Sequence, residues 1–271
     1  MTADDLLRDP TRFRLMDGAM GTRLLPLGLP CVALANLSHP DRVRAVHRGY
    51  ADAGAQVHLT NTFQANPLAL AGHDLDAIVP AAVSHARTTR GVVLGNVGPI
   101  MAPGQRTDFA DRAALHRTLD ALEGVDGLLF ETCSTASALA AVEYASHRVG
   151  WLESRPLLLS IAYRWQDGQP RGWHGHAPEF FARHAVRHGV AALGVNCGVG
   201  MGLAEVAEVL RRYRGETDLP LFARPNAGTP EEFAAALPAL VAAGAYMVGG
   251  CCGTTEAHVA AMAEAIFRFR S

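Results

Sequence analysis

The residues best suited to chemistry are three cysteines in two glycine-flanked places. Cys251 and Cys252 are adjacent, between Gly249-Gly250 and Gly253-Thr254-Thr255, while Cys197 stands in Gly194-Val195-Asn196-Cys197-Gly198. Adjacent cysteines make poor disulfide partners, because a trans peptide resists the Cα separation and dihedral that a bridge needs. A paired-thiolate metal site is the better reading, given one more soft ligand from elsewhere, and Cys197 is the best candidate. Three thiolates favour a soft or borderline ion, zinc first. Three protein ligands leave one tetrahedral position open, as in a catalytic site. The competing reading, cysteines packed as small apolar residues, fits glycine-flanked strand ends poorly.

These positions need a frame that brings distant segments together. Short apolar runs lie at about 13–16, 56–60, 92–96, 127–130, 156–162, 191–195, 219–223 and 245–248. Each is followed by a stretch of helical period, at about 40–53, 75–90, 108–123, 136–149, 178–188, 202–214, 230–243 and 256–268. Near-continuous apolar strands suit a parallel sheet covered on both faces. Eight strand-then-helix units predict one α/β domain over 1–271, a (β/α)₈ TIM barrel. An open doubly wound sheet is the runner-up, but no Gly-x-Gly-x-x-Gly follows the first strand. The polar and glycine-rich clusters fall just after strands, on the C-terminal face where a barrel builds its active site. Cys197 after strand six and Cys251/Cys252 after strand eight can therefore meet. Side chains alternate along a strand, so the adjacent pair shares an ion only if the backbone leaves strand geometry there. Gly249, Gly250 and Gly253 permit that.

Composition narrows the chemistry. All 24 basic residues are arginine, which removes lysine Schiff-base, lysine-held pyridoxal phosphate and Walker-A mechanisms. A net charge of −2, with no basic run, argues against nucleic acid. The first ten residues are acidic and lack the apolar core of a signal peptide, and no apolar run is long enough to span a membrane. Five cysteines, an odd number, then suit a reducing cytoplasm.

The set DGAMGT (17–22), TNTF (60–63), Gly98-Pro99, Glu131-Thr132, GVNCG (194–198), PNAG (225–228) and GGCCGTT (249–255) resembles the zinc-dependent homocysteine S-methyltransferase family. That family includes the homocysteine-binding barrel of cobalamin-dependent methionine synthase. The likeness runs from about residue 13 to the C-terminus, and GGCC with an upstream NCG is its specific part. It implies a methyltransferase in which Cys197, Cys251 and Cys252 hold Zn²⁺ and the homocysteine thiolate takes the fourth position, accepting a methyl group to give methionine. It further implies that Asp17 and Glu131 hold the amino group, and that N–H groups at the turn containing Gly18 receive the carboxylate. The donor implied is a sulfonium small molecule or a separate corrinoid protein, with no further domain expected in this chain.

Other residues carry competing readings. Asp17 also suits an ordinary Asp-Gly turn, and Glu131 a salt bridge to an arginine, since an unpaired carboxylate after Leu128-Leu129-Phe130 is costly. Asn61, Asn196 and Asn226 either bond the substrate, orient a thiolate or serve turn chemistry. Trp165 and Trp173 offer aromatic faces to a cationic donor, against a packed loop; His174, His176, His184 and His188 read as solvated. Three rival functions remain: a non-catalytic homocysteine- or thiol-binding module, a methyltransferase for a related thiol or selenol, and a hydrolase or lyase whose zinc is structural.

Overall fold

The computed structural model describes residues 13–101 and 108–270, so the acidic first ten residues lie outside it. Eight strands form the frame: β1 (Arg14–Leu15), β2 (Val57–Leu59), β3 (Val92–Val97), β4 (Gly127–Cys133), β5 (Leu157–Ile161), β6 (Ala192–Asn196), β7 (Leu221–Arg224) and β8 (Ala245–Val248). All pair in parallel with their sequence neighbours, β8 pairs with β1, and a bridge from Met16 to Val57 joins β1 to β2. The sheet thus closes into a (β/α)₈ TIM barrel.

The main helices, one after each strand, are α1 (Pro40–Asp52), α2 (Leu75–Ala86), α3 (Arg112–Ala121), α4 (Ser137–Arg148), α5 (Pro178–Ala185), α6 (Leu203–Arg214), α7 (Pro230–Ala242) and α8 (Glu256–Arg270). Local chemistry sets their starts. At α7 the Thr229 hydroxyl accepts from the Glu232 N–H at 3.2 Å, and Glu232 accepts from the Thr229 N–H at 2.7 Å. Such a reciprocal cap is worth about 1 kcal/mol. Asp111 caps α3 through the Ala114 N–H, so that helix starts later than the expected 108. Asp108 instead accepts from Ser134 N and Thr135 N, pinning the loop after β4.

Another expected helix, 75–90, stops at Ala86. The Thr88 and Thr89 hydroxyls bond back to the carbonyls of His85 and Ala86, competing with helix continuation. A two-stranded hairpin, Arg164–Gln166 with Gln169–Arg171, occupies the long loop after β5 and has no counterpart in the strand pattern.

The core has two layers. Met16, Val57, Leu59, Val92, Leu94, Leu129, Leu158, Ala192, Phe222 and Met247 fill the barrel, and a larger shell lies between strands and helices. Phe222 fits because its neighbour in β6 is Gly194: a Cβ there would stand 2.3 Å from the Phe222 ring. Among the described residues no helix is long and apolar enough to cross a membrane.

Tyr50 on α1 ties the frame to the C-terminal face of the barrel. Its buried hydroxyl lies 2.8 Å from the Ala19 carbonyl and 3.0 Å from that of Thr254, so it clamps the loops after β1 and β8. Tyr50→Phe removes the donor and leaves buried carbonyls underserved, a loss of about 1–2 kcal/mol. A fall of about 2–6 °C in the thermal unfolding midpoint is the expected outcome.

Candidate metal centre

Three strand exits build the centre. β8 ends at Val248, and the next four residues leave strand geometry across glycine: Gly250 N–H bonds Asp17 O at 3.0 Å and Cys251 N–H bonds Pro225 O at 2.8 Å. The Cys252 carbonyl accepts from Ala227 N–H at 2.9 Å, and Cys197 N–H bonds Arg224 O at 3.2 Å. Loops six, seven and eight are therefore stitched together by main chain. Cys197 itself adopts a left-handed backbone, φ 48°, which turns its side chain off the line of β6. The cost is of order 1 kcal/mol or more for a residue with a Cβ.

The result brings all three sulfurs within 4.8 Å of one another, with Cys197 Sγ and Cys252 Sγ 3.8 Å apart. Zinc–sulfur bonds of about 2.3 Å in a tetrahedron set neighbouring sulfurs roughly 3.8 Å apart. The donor set and its spacing therefore fit zinc. Hydrogen bonds from the Cys251 and Cys252 thiols hold the Cys197 thiol down at about 2, as a thiolate. The same contacts with Cys197 push Cys251 and Cys252 up. Asn196 orients the site from below: its amide nitrogen reaches Cys251 Sγ at 3.7 Å and donates to Thr132 Oγ1 at 2.8 Å. Its carbonyl accepts from Ser160 Oγ and Thr132 N. Asn226 likewise helps to lower the Cys197 thiol.

Beside the sulfurs lies a cavity of about 350 Å³, lined by residues including Gly18, Asn61, Glu131, Arg224 and all three cysteines. Arg224 is the residue the sequence reading passed over. Its Nε donates to Glu131 at 3.0 Å, and its Nη1 donates to the Asp17 carboxylate at 2.9 Å and the Asp17 carbonyl at 3.0 Å. The second Glu131 oxygen accepts from Asn96 Nδ2 at 3.0 Å, the second Asp17 oxygen from Leu59 N–H at 2.7 Å. All three charged groups are buried. Burial alone would lower the guanidinium pKa, but the Glu131 and Asp17 charges outweigh it and hold the cation firmly. Such a network adds little net stability, yet removing one member costs about 3–5 kcal/mol. One signal for Arg224 was present: a lone arginine closing the apolar run before PNAG.

The remaining candidates separate clearly. Glu131 and Thr132 sit within β4 rather than after it, at an irregularity where Thr132 takes φ 61°. Glu131 lines the cavity; Asp17 sits behind it and is absent from the lining. Asn61 lines it too, but its amide nitrogen is spent on Val32 O and Asn36 Oδ1. Cys133 is fully buried, and desolvation pushes its thiol well up. Neither Trp165 nor Trp173 lines the cavity, and Arg164 covers one Trp173 face at 4.2 Å. His176 stacks on Phe180 at 4.0 Å and His188 pairs with Glu143 at 2.7 Å, so both are more engaged than solvated loop residues. A second grouping, Asp17 with His47 and His58, is wholly buried. Desolvation lowers both imidazoles, and both Asp17 oxygens are already bonded, so it offers a cation no free charge.

Comparison with known proteins agrees with this geometry. The homocysteine S-methyltransferase family matches residues 14–266. The chain is 31% identical to methionine synthase of Mycobacterium tuberculosis over 94% of its own length but 25% of that protein's; it spans about a quarter of the mycobacterial methionine synthases it matches. It is also 31% identical to homocysteine S-methyltransferase of Escherichia coli, over 94% of this chain and 96% of that one. The metallated form of the Escherichia coli homocysteine methyltransferase MmuM superposes with a TM-score of 0.79 at 28% identity, covering all of both chains. The carboxyl transferase domain of Rhizobium etli pyruvate carboxylase, at 16% identity and TM-score 0.58, covers 98% of this chain and 48% of that one, and shares the fold alone. With a family match spanning nearly all the described barrel, the chain belongs to the homocysteine S-methyltransferase family.

Proposed function

We propose that this barrel is a zinc-dependent thiol methyltransferase that converts homocysteine to methionine. The observation that carries the reading is the convergence of Cys197, Cys251 and Cys252 at one edge of a cavity sized for an amino acid. Zinc held by these thiolates supplies a Lewis acid that keeps an acceptor thiol deprotonated at neutral pH. A free thiol, with pKa about 8.5, is only a few per cent thiolate there. No general base is then required.

The chain's own residues do the rest by positioning. Asn196 and Asn226 fix the sulfurs through their amide groups. Gly18, Ala19, Met20, Gly21 and Thr22 form one cavity wall, where main-chain N–H groups suit an acceptor carboxylate. Glu131 faces the amino end, and Asp17 acts on that wall through Arg224. The open side of the mouth receives the donor, either a sulfonium compound or the methyl group of a separate corrinoid protein. Both donors follow from the family that the motifs at 17–22, 60–63, 194–198 and 249–255 resemble. The reading further places the protein in the cytoplasm, where its free cysteines remain reduced, and treats the barrel as one functional domain.

Zinc-loaded protein is expected to form methionine from homocysteine with at least one donor of a panel holding S-methylmethionine, S-adenosylmethionine and a methyl-corrinoid protein. Homocysteine binding without turnover on any of them would make it a binding module instead. Chelation should abolish turnover, with recovery on adding zinc back. Replacing Cys197, Cys251 or Cys252 singly by alanine is expected to lower bound zinc well below one ion per chain by elemental analysis, while circular dichroism stays unchanged. Asn196→Ala removes a group that orients the ligand set, and a fall in zinc affinity of about 10–100-fold is expected in a competition titration. Unchanged affinity would show that Asn196 serves strand-end packing only.

A further inference from the structure

We propose that Arg224 sets acceptor selectivity in this protein, weakening recognition of an α-ammonium so that a carboxylate-bearing thiol without an amino group is accepted nearly as well as homocysteine. The inference rests on the thiol-methyltransferase reading of the same cavity. Two carboxylates at the end of a cavity, left to themselves, form a doubly negative well that selects an ammonium strongly. Here a guanidinium already lies against both, 3.0 Å from Glu131 and 2.9 Å from Asp17. The formal charge of the three groups is therefore −1 rather than −2.

The hydrogen-bond pattern points the same way. Each of the four carboxylate oxygens already accepts from the protein: Arg224 and Asn96 on Glu131, Arg224 and Leu59 N–H on Asp17. Asp17 does not reach the cavity wall, whereas Arg224 does. An entering ammonium would share Glu131 with Arg224 and Asn96 and stand beside a fixed cation, and like charges disfavour each other. An acceptor carboxylate meets no such obstacle. It faces a wall built of residues 18–22 and Arg224, in which the Ala19 N–H is taken by Thr254 Oγ1 and the others remain to meet it. Arg224 cannot swing away cheaply, because Nη1 also holds the Asp17 carbonyl and Nη2 lies 3.4 Å from that of Gly18. Discrimination then falls on the sulfur and the carboxylate.

The test titrates cobalt-loaded protein with three thiols and reads the thiolate-to-cobalt absorption band. These are homocysteine, 4-mercaptobutyrate (no ammonium) and 3-mercaptopropylamine (no carboxylate). Homocysteine and 4-mercaptobutyrate are expected to bind within about fivefold of each other, with 3-mercaptopropylamine weakest. A homocysteine preference above about fivefold, or 3-mercaptopropylamine binding better than 4-mercaptobutyrate, overturns the proposal while leaving the methyltransferase reading intact. If no thiol changes the spectrum, the reading itself fails and the proposal with it. Arg224→Met gives a second measure: the homocysteine preference over 4-mercaptobutyrate should rise at least about fivefold. An unchanged ratio in the folded variant contradicts the assignment. Should that variant not fold, the unmodified protein's ratios decide.

Discussion

The structure depends on closure of the sheet. Because β8 pairs with β1 and Met16 reaches Val57, the ends of all eight strands are held in one ring. Residues far apart in sequence, such as 17, 131, 197, 224 and 251, are then neighbours by construction. Closure also removes any free sheet edge, which lets the rim carry irregular backbone without exposing ladder hydrogen bonds. The left-handed Cys197, the kinked Thr132 and the glycine-borne exit of β8 are all irregularities of this kind. The first and last are held by main-chain bonds between adjacent loops, and Thr132 by its N–H on the Asn196 side-chain oxygen.

On that rim two charged assemblies share a wall. The three sulfurs form one, anionic and partly open to solvent; the Asp17–Arg224–Glu131 network forms the other, buried and internally bonded. Arg224 lies between them, its main-chain carbonyl accepting from Cys197 N–H while its side chain holds both carboxylates. The same residue thus links the loop that carries Cys197 to the cavity wall.

Much of the frame was legible because apolar periodicity carries it. Eight apolar runs alternating with helical stretches are a consequence of covering a parallel sheet on both faces, and their bounds fell close to the strands observed. Helix ends were less readable, since Thr88 and Thr89 or Asp108 decide them through single side-chain bonds that leave no periodic trace. The three converging sulfurs announced themselves by being cysteines beside glycines. The carboxylates did not reveal their partner. Asp17 and Glu131 are separated from Arg224 by more than ninety residues, and only closure of the ring shows that one guanidinium satisfies both. The salt-bridge reading of Glu131, weighed from its apolar neighbours, is met by Arg224, and the same carboxylate lines the cavity.

The central claim is that sulfur from two separate segments meets on one ion and leaves a position for an incoming thiol. X-ray absorption at the zinc edge tests it most directly. The account predicts a shell of three sulfurs at about 2.3 Å plus one lighter atom, becoming four sulfurs when homocysteine is added. A nitrogen-rich shell, or a spectrum indifferent to the thiol, would contradict it.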